Sequence, residues 1–80
     1  MPDIFFQKGG DTMSFNNTLV FLRNKHGLTQ EQLANAVGVS QAVISMYESG
    51  IKVPSIFVSV KLAKTFGITV EELAEGNLNA

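Results

Sequence analysis

Eighty residues, 45% of them hydrophobic, make one small domain with a modest core and no room for a deep substrate cavity. The absence of cysteine excludes disulfides, thiolate catalysis and cysteine-ligated zinc; no apolar run approaches the roughly 20 residues of a membrane helix, and no signal-peptide pattern opens the chain, so a cytoplasmic protein is expected. The net charge of −1 is unevenly spread: residues 13–64 hold five basic side chains against two acidic ones, while Glu71, Glu72 and Glu75 gather near the far end, a distribution that by itself is ordinary surface charge.

Residues 1–13 differ in character from the rest of the chain. Ile4, Phe5 and Phe6 are apolar without helical spacing, and Gly9-Gly10 breaks any regular element. The segment reads as an arm or leader. Lys8-Gly9-Gly10-Asp11-Thr12-Met13 back-translates as AAA GGA GGT GAT ACA ATG, a purine-rich ribosome-binding sequence ahead of a start codon. On that reading Met13 is the natural start, and codons lacking GGAGG would remove it. On the other reading the leader is a genuine arm that binds a partner subunit or DNA.

Ser14 is suited to cap a first helix from Phe15 to about His26, with Phe15, Leu19 and Leu22 at helical spacing and Gly27 as its left-handed stop. Thr29-Gln30-Glu31-Gln32 is a capping box that opens a second helix with Leu33, Ala34 and Val37 facing inward. Gly38 ends it in a conformation that penalises a Cβ. Ser40 caps a third helix that ends near Ser49-Gly50, with Ile44 and Tyr47 inward. Pro54-Ser55 starts a fourth, whose inner residues are Leu62, Ala63 and Phe66 and whose stop is Gly67. Thr69-Val70-Glu71-Glu72 is a second capping box, opening a short fifth helix through Leu73 to about Glu75. Gly76-Asn77 closes the ordered domain, residues 14–76, and residues 77–80 form a tail. The expected fold is all-α, with five short helices and no strand. Within it, Leu28 to Glu48 reads as two amphipathic helices joined tightly at Gly38, with small Ala34 where they cross, which is a helix-turn-helix.

With these elements in place the chain resembles the lambda-repressor-like helix-turn-helix domains of phage repressors, Cro proteins and xenobiotic-response-element regulators. The resemblance covers residues 15–76. It rests on Leu22-Arg23, Gly27-Leu28-Thr29-Gln30, Leu33-Ala34, Gly38-Val39-Ser40-Gln41, Ile44-Ser45, Glu48, Gly50, Pro54-Ser55, Leu62-Ala63 and Leu73, all in register. It implies that the third helix is the recognition helix, with Gln41, Ala42, Val43, Ser45 and Met46 as candidates to face base edges. A Gln41 amide can donate and accept together, matching N7 and N6 of adenine, and Ala42, Val43 or Met46 can pack on thymine methyls. The resemblance also implies phosphate contacts from Gln30, which braces Gln41. Thr29, Ser40, Ser49 and Lys52 are further candidates, with capping alone as the plainer role for Thr29 and Ser40. Arg23 and Glu48 match a pair that forms an internal salt bridge in similar proteins.

The sequence departs from that pattern in places. Its third helix has no Lys or Arg, and Val43 and Met46 are less polar than usual. Phe57 and Val58 stand where charged or polar residues are common, and Ser59 replaces an apolar one. Either the fourth helix is repacked locally, or Phe57 and Val58 form an apolar patch buried on dimerisation.

Other signals are weak. His26 is a lone histidine at a helix end, where a positive charge suits the helix dipole. Ser49-Gly50-Ile51-Lys52 matches a Ser-x-x-Lys spacing by chance. The three C-terminal glutamates fit a helix start and a solvated face. No phosphate-cradling loop or triad appears, so no enzyme activity, cofactor, metal or small-molecule substrate is expected. The function expected is a sequence-specific regulator of transcription that binds double-stranded DNA, with a homodimeric repressor on a pseudo-palindromic operator as its expected form. The alternative is a protein-interaction module of the same fold, an antitoxin or scaffold.

Overall fold

The computed structural model describes residues 13–76; the leader and tail readings fall on residues that lie largely outside this range. Five helices make up the described fold: α1 Phe15–Lys25, α2 Gln30–Val37, α3 Gln41–Glu48, α4 Ile56–Phe66 and α5 Val70–Glu75. Each begins at a hydroxyl. Ser14, Thr29, Ser40, Ser55 and Thr69 sit in extended backbone and accept a hydrogen bond from the N–H three residues on, which satisfies a donor the helix cannot. At Thr29 and Thr69 the bond is returned, because Gln32 and Glu72 accept from the cap N–H at 2.8 and 2.9 Å. The first helix stops one residue before its expected end, with His26 as the cap itself.

The interior is built from Leu19 and Leu22 of α1, Leu33, Ala34 and Val37 of α2, Ile44 and Tyr47 of α3, Leu62, Ala63 and Phe66 of α4, and Leu73 of α5. Burying each of the large aliphatic residues contributes about 1.5–3 kcal/mol. Helix α2 packs on α3 and α4, α1 packs on α3 and α5, and α4 packs on α5, so α3 rests on both α1 and α2. Gly38, at φ +76°, reverses the chain between α2 and α3 while Val39 N–H donates to the Ala34 carbonyl.

Two details depart from the sequence expectation. Phe15 is half-buried and packs against the core from outside it, whereas Thr18 is fully buried. The Thr18 hydroxyl is satisfied locally, donating to the Ser14 carbonyl at 2.9 Å. Above it the two ends of the described chain meet, as Met13 N–H donates to the Gly76 carbonyl at 3.2 Å. A Cβ on Gly76 would overlap the Met13 carbonyl and stand 2.7 Å from Thr18 Oγ1.

Candidate nucleic-acid interface

The α2–turn–α3 unit turns Ile44 and Tyr47 inward, which leaves the opposite edge of α3 outside. Gln41, Ala42 and Ser45 are exposed on that edge. Val43 and Met46 are half-buried, and Val43 packs against the core. Val43 therefore departs from the solvent-facing reading. It borders the Ile44–Tyr47 face, and the roughly 100° step between neighbouring helical residues does not separate a rim position from an exposed one.

A ladder of polar side chains crosses from α1 to the start of α3. Arg23 Nε donates to Glu48 Oε2, and Nη2 donates to Oε1 at 3.1 Å, a two-bonded guanidinium–carboxylate pair. Its Nη1 donates to the Leu28 carbonyl at 2.9 Å, which anchors the α1–α2 connection. The pair is largely shielded, with side-chain exposures of 15% for Arg23 and 8% for Glu48. Hydrogen bonding to Glu48 raises the Arg23 pKa above its ordinary value, burial opposes this, and the Glu48 charge adds to it. Gln30 Nε2 donates to Glu48 Oε1 at 2.9 Å, and Gln41 Nε2 lies 3.4 Å from Gln30 Oε1. The structure thus brings together Arg23, Glu48, Gln30 and Gln41, four residues drawn from three helices.

The remaining candidates surround this ladder. Thr29, Ser40, Ser49 and Lys52 are exposed, and Gln30 is half-buried. Thr29 and Ser40 act as caps, accepting from Gln32 and Val43 N–H at 3.0 and 3.2 Å. Ser49 Oγ donates to the Met46 carbonyl at 3.2 Å. The leading N–H groups of α2 and α3 have no acceptor within their helices and carry partial positive charge.

A second surface lies beyond α3. Phe57 is 78% exposed, but Val58 is half-buried and packs on the core, so the two do not form one patch. Ile51, Val53 and Ile56 are exposed with Phe57 instead. Sequence reasoning missed these three, although Ile51 and Val53 flank Lys52 in a loop with no helical phase to draw them inward. The loop is pinned to α3 where Ile51 and Lys52 N–H donate to the Met46 carbonyl. Near it an apolar cavity of about 210 Å³ is lined by Phe15, Val53, Pro54, Ser59, Val70, Leu73 and Ala74, without a titratable side chain. Among the described residues no cluster of His, Asp or Glu could hold a metal, and no helix is long and apolar enough to cross a membrane. His26 is exposed, its ring 5.2 Å from that of Phe66.

Comparison with known proteins meets the same geometry. The helix-turn-helix family pattern matches residues 21–73, which hold α2, α3 and α4 entire. The chain is 42% identical over 57 residues to the uncharacterized HTH-type transcriptional regulator MJ0272 of Methanocaldococcus jannaschii, covering 71% of this chain and 86% of that one. It is 42% identical over 64 residues to the HTH-type transcriptional activator BcrR of Enterococcus faecalis, covering 80% of this chain but only 31% of that one. Among solved structures, the P22 c2 repressor in complex with a synthetic operator superposes with a TM-score of 0.77 at 26% identity, over 81% of this chain and 98% of that one.

Proposed function

This chain belongs to the helix-turn-helix family, of the lambda-repressor-like kind, and on that premise we propose that it binds double-stranded DNA as a sequence-specific regulator of transcription. The observation that carries this reading is the open Gln41-Ala42-Ser45 edge on the second helix of the motif. Helix α3 lies in the major groove, and Gln41 reads a base edge there while Ala42 and the outer parts of Val43 and Met46 meet thymine methyls. Thr29, Gln30, Ser40, Ser49 and Lys52 contact phosphates, through their side chains or through the free N–H groups at the helix starts. Because α3 carries no Lys or Arg, these backbone contacts supply most of the affinity.

Two copies act together. The exposed Ile51, Val53, Ile56 and Phe57 support a homodimer formed through the α3–α4 loop and the start of α4. Two-fold symmetry sets the recognition helices about 34 Å apart, one turn of DNA, on a pseudo-palindromic operator. Occupation of a promoter by such a dimer blocks polymerase, so repression is the outcome proposed. Residues 14–76 are the DNA-binding domain in this reading, flanked by residues 1–13 and 77–80. The protein works in the cytoplasm, without a catalytic role.

The test is selection of bound sequences from a random duplex pool, followed by salt titration on the winner. Inverted half-sites about 10 base pairs apart are expected, with affinity falling as salt rises at a slope set by the phosphate contacts. Gln41→Ala should flatten discrimination among operators, whereas Lys52→Ala should weaken all of them alike. Identical preference profiles for the unmodified chain and Gln41→Ala would refute the assigned readout. Failure to enrich any sequence would favour the protein-interaction alternative.

A further inference from the structure

Helix α3 sorts its outer edge into two rows, because residues four apart stand one above the other on a helix. Gln41 and Ser45 form one row; both are exposed, and they hold the polar side-chain groups of that edge. Ala42, exposed, and Met46, half-buried, form the row beside it, and neither side chain carries a hydrogen-bond donor. The end of the apolar row is fixed in place. The Met46 carbonyl receives Ser49 Oγ at 3.2 Å and the N–H groups of Ile51 and Lys52 at 3.0 and 3.3 Å. Helix α3 has no Lys, Arg or Asp, and its one carboxylate, Glu48, is paired with Arg23.

A base that faces Ala42 and Met46 is judged by its apolar surface. In the major groove that surface is the C5-methyl group of thymine. Cytosine has a bare C5 and shows an N4 donor where thymine shows the O4 acceptor. Telling O4 from N4 takes a polar side chain, and an alanine methyl beside a thioether, itself only a weak acceptor, does not supply one. Methylation of cytosine at C5 places a methyl where thymine has its own and leaves the G·C pair intact. We infer that the Ala42–Met46 row reads the C5-methyl itself, so that the chain binds 5-methylcytosine in preference to cytosine and takes cytosine-methylated duplex DNA as a ligand. This preference rests on the DNA-binding role proposed above and adds to it, since occupancy then follows a chemical modification of the DNA as well as its base sequence. Removing one methyl from water is worth about 4-fold in affinity, and one in each of two half-sites about 15-fold.

The experiment uses the full chain and the operator selected above. Each thymine is replaced in turn by deoxyuridine, which removes the methyl and nothing else. The position that loses most is then rebuilt as a G·C pair in both half-sites, with cytosine or 5-methylcytosine in the thymine's place. The ratio of affinities for thymine over deoxyuridine and that for 5-methylcytosine over cytosine should agree, at about 15-fold each, because both weigh one methyl per half-site. Ala42→Ser and Met46→Gln put a polar group into the row at nearly constant size, and both positions lie outside the buried core. The variant whose side chain meets the methyl should bring both ratios close to 1. A merely structural effect of either change would weaken all four duplexes alike and leave the ratios where they were. No thymine sensitive to the replacement, or a 5-methylcytosine ratio near 1 in the unmodified chain, overturns the inference and leaves DNA binding intact. Ratios that persist in both variants overturn it too, since the effect then belongs to the deformability of the methylated duplex. An unmodified chain that selects no duplex overturns the functional reading and this inference with it.

Discussion

Replacing Arg23 by methionine tests whether the shielded ion pair holds α3 in place. The side chain makes three hydrogen bonds, two to Glu48 and one to the Leu28 carbonyl. Methionine fills much of the same space but leaves Glu48, at 8% exposure, with Gln30 as its remaining side-chain donor in the ladder. Breaking one side of a buried pair costs about 3–5 kcal/mol, against 0–1 kcal/mol for an exposed pair. The low exposure of both partners places this pair in the first regime. A domain of this size has a total stability of about 4–12 kcal/mol, so the substitution should lower Tm by more than about 10 °C. Urea melts of Arg23→Met, Glu48→Met and the double variant measure it directly. The double variant should be more stable than the sum of the two single losses allows, because it strands no charge. Raising salt should change the Arg23→Met penalty little, since shielded charges are weakly screened. A loss below 1 kcal/mol, or strict additivity of the two single changes, would refute the reasoning.

The geometry sets two further outcomes. Gly76→Ala should destabilise by clearly more than Gly67→Ala: both positions have φ of +71°, a term of about 1–2 kcal/mol, but only at Gly76 does the new Cβ meet the Met13 carbonyl and Thr18. Equal losses in denaturant melts would mean that the contact is not as tight as described. Tyr47, the chain's single tyrosine, has its pKa raised by burial above the ordinary 10.0. The unfolded chain releases that proton first, so the Tyr47 contribution to stability is whole below pH 10 and is lost as pH climbs through the folded value. Tyrosinate absorbance in an alkaline titration should therefore lag behind that of a model tyrosine and rise together with unfolding; a normal curve for the folded protein would contradict it.

Much of this architecture was legible because local chemistry marks it. Five hydroxyl residues announce five helix starts, and Gly27, Gly38, Gly67 and Gly76 take the left-handed geometry that ends or follows each helix they close. The eleven apolar core residues, Leu19 to Leu73, follow helical spacing closely enough to be read from the chain. What escaped has physical reasons. Thr18 looks like a surface residue until its hydroxyl is seen to bond within its own helix and to lie under Gly76. Val43 and Val58 sit at the rim of their helices' inner faces, where spacing does not decide between core and solvent. Ile51 and Val53 belong to a loop, and nothing in a sequence period says which way a loop residue points. The joining of Gln30 to Glu48 depends on the crossing of α2 and α3, which spacing along one helix does not contain.

The bond between the Met13 amide and the Gly76 carbonyl makes the folded body nearly a closed circle. Anything spliced to either extremity departs from one corner, beside α1 and α5, so the domain is suited to travel as a cassette. A short covalent bridge across that corner would permit fresh termini to be cut in the α3–α4 loop, with every interior neighbour retained.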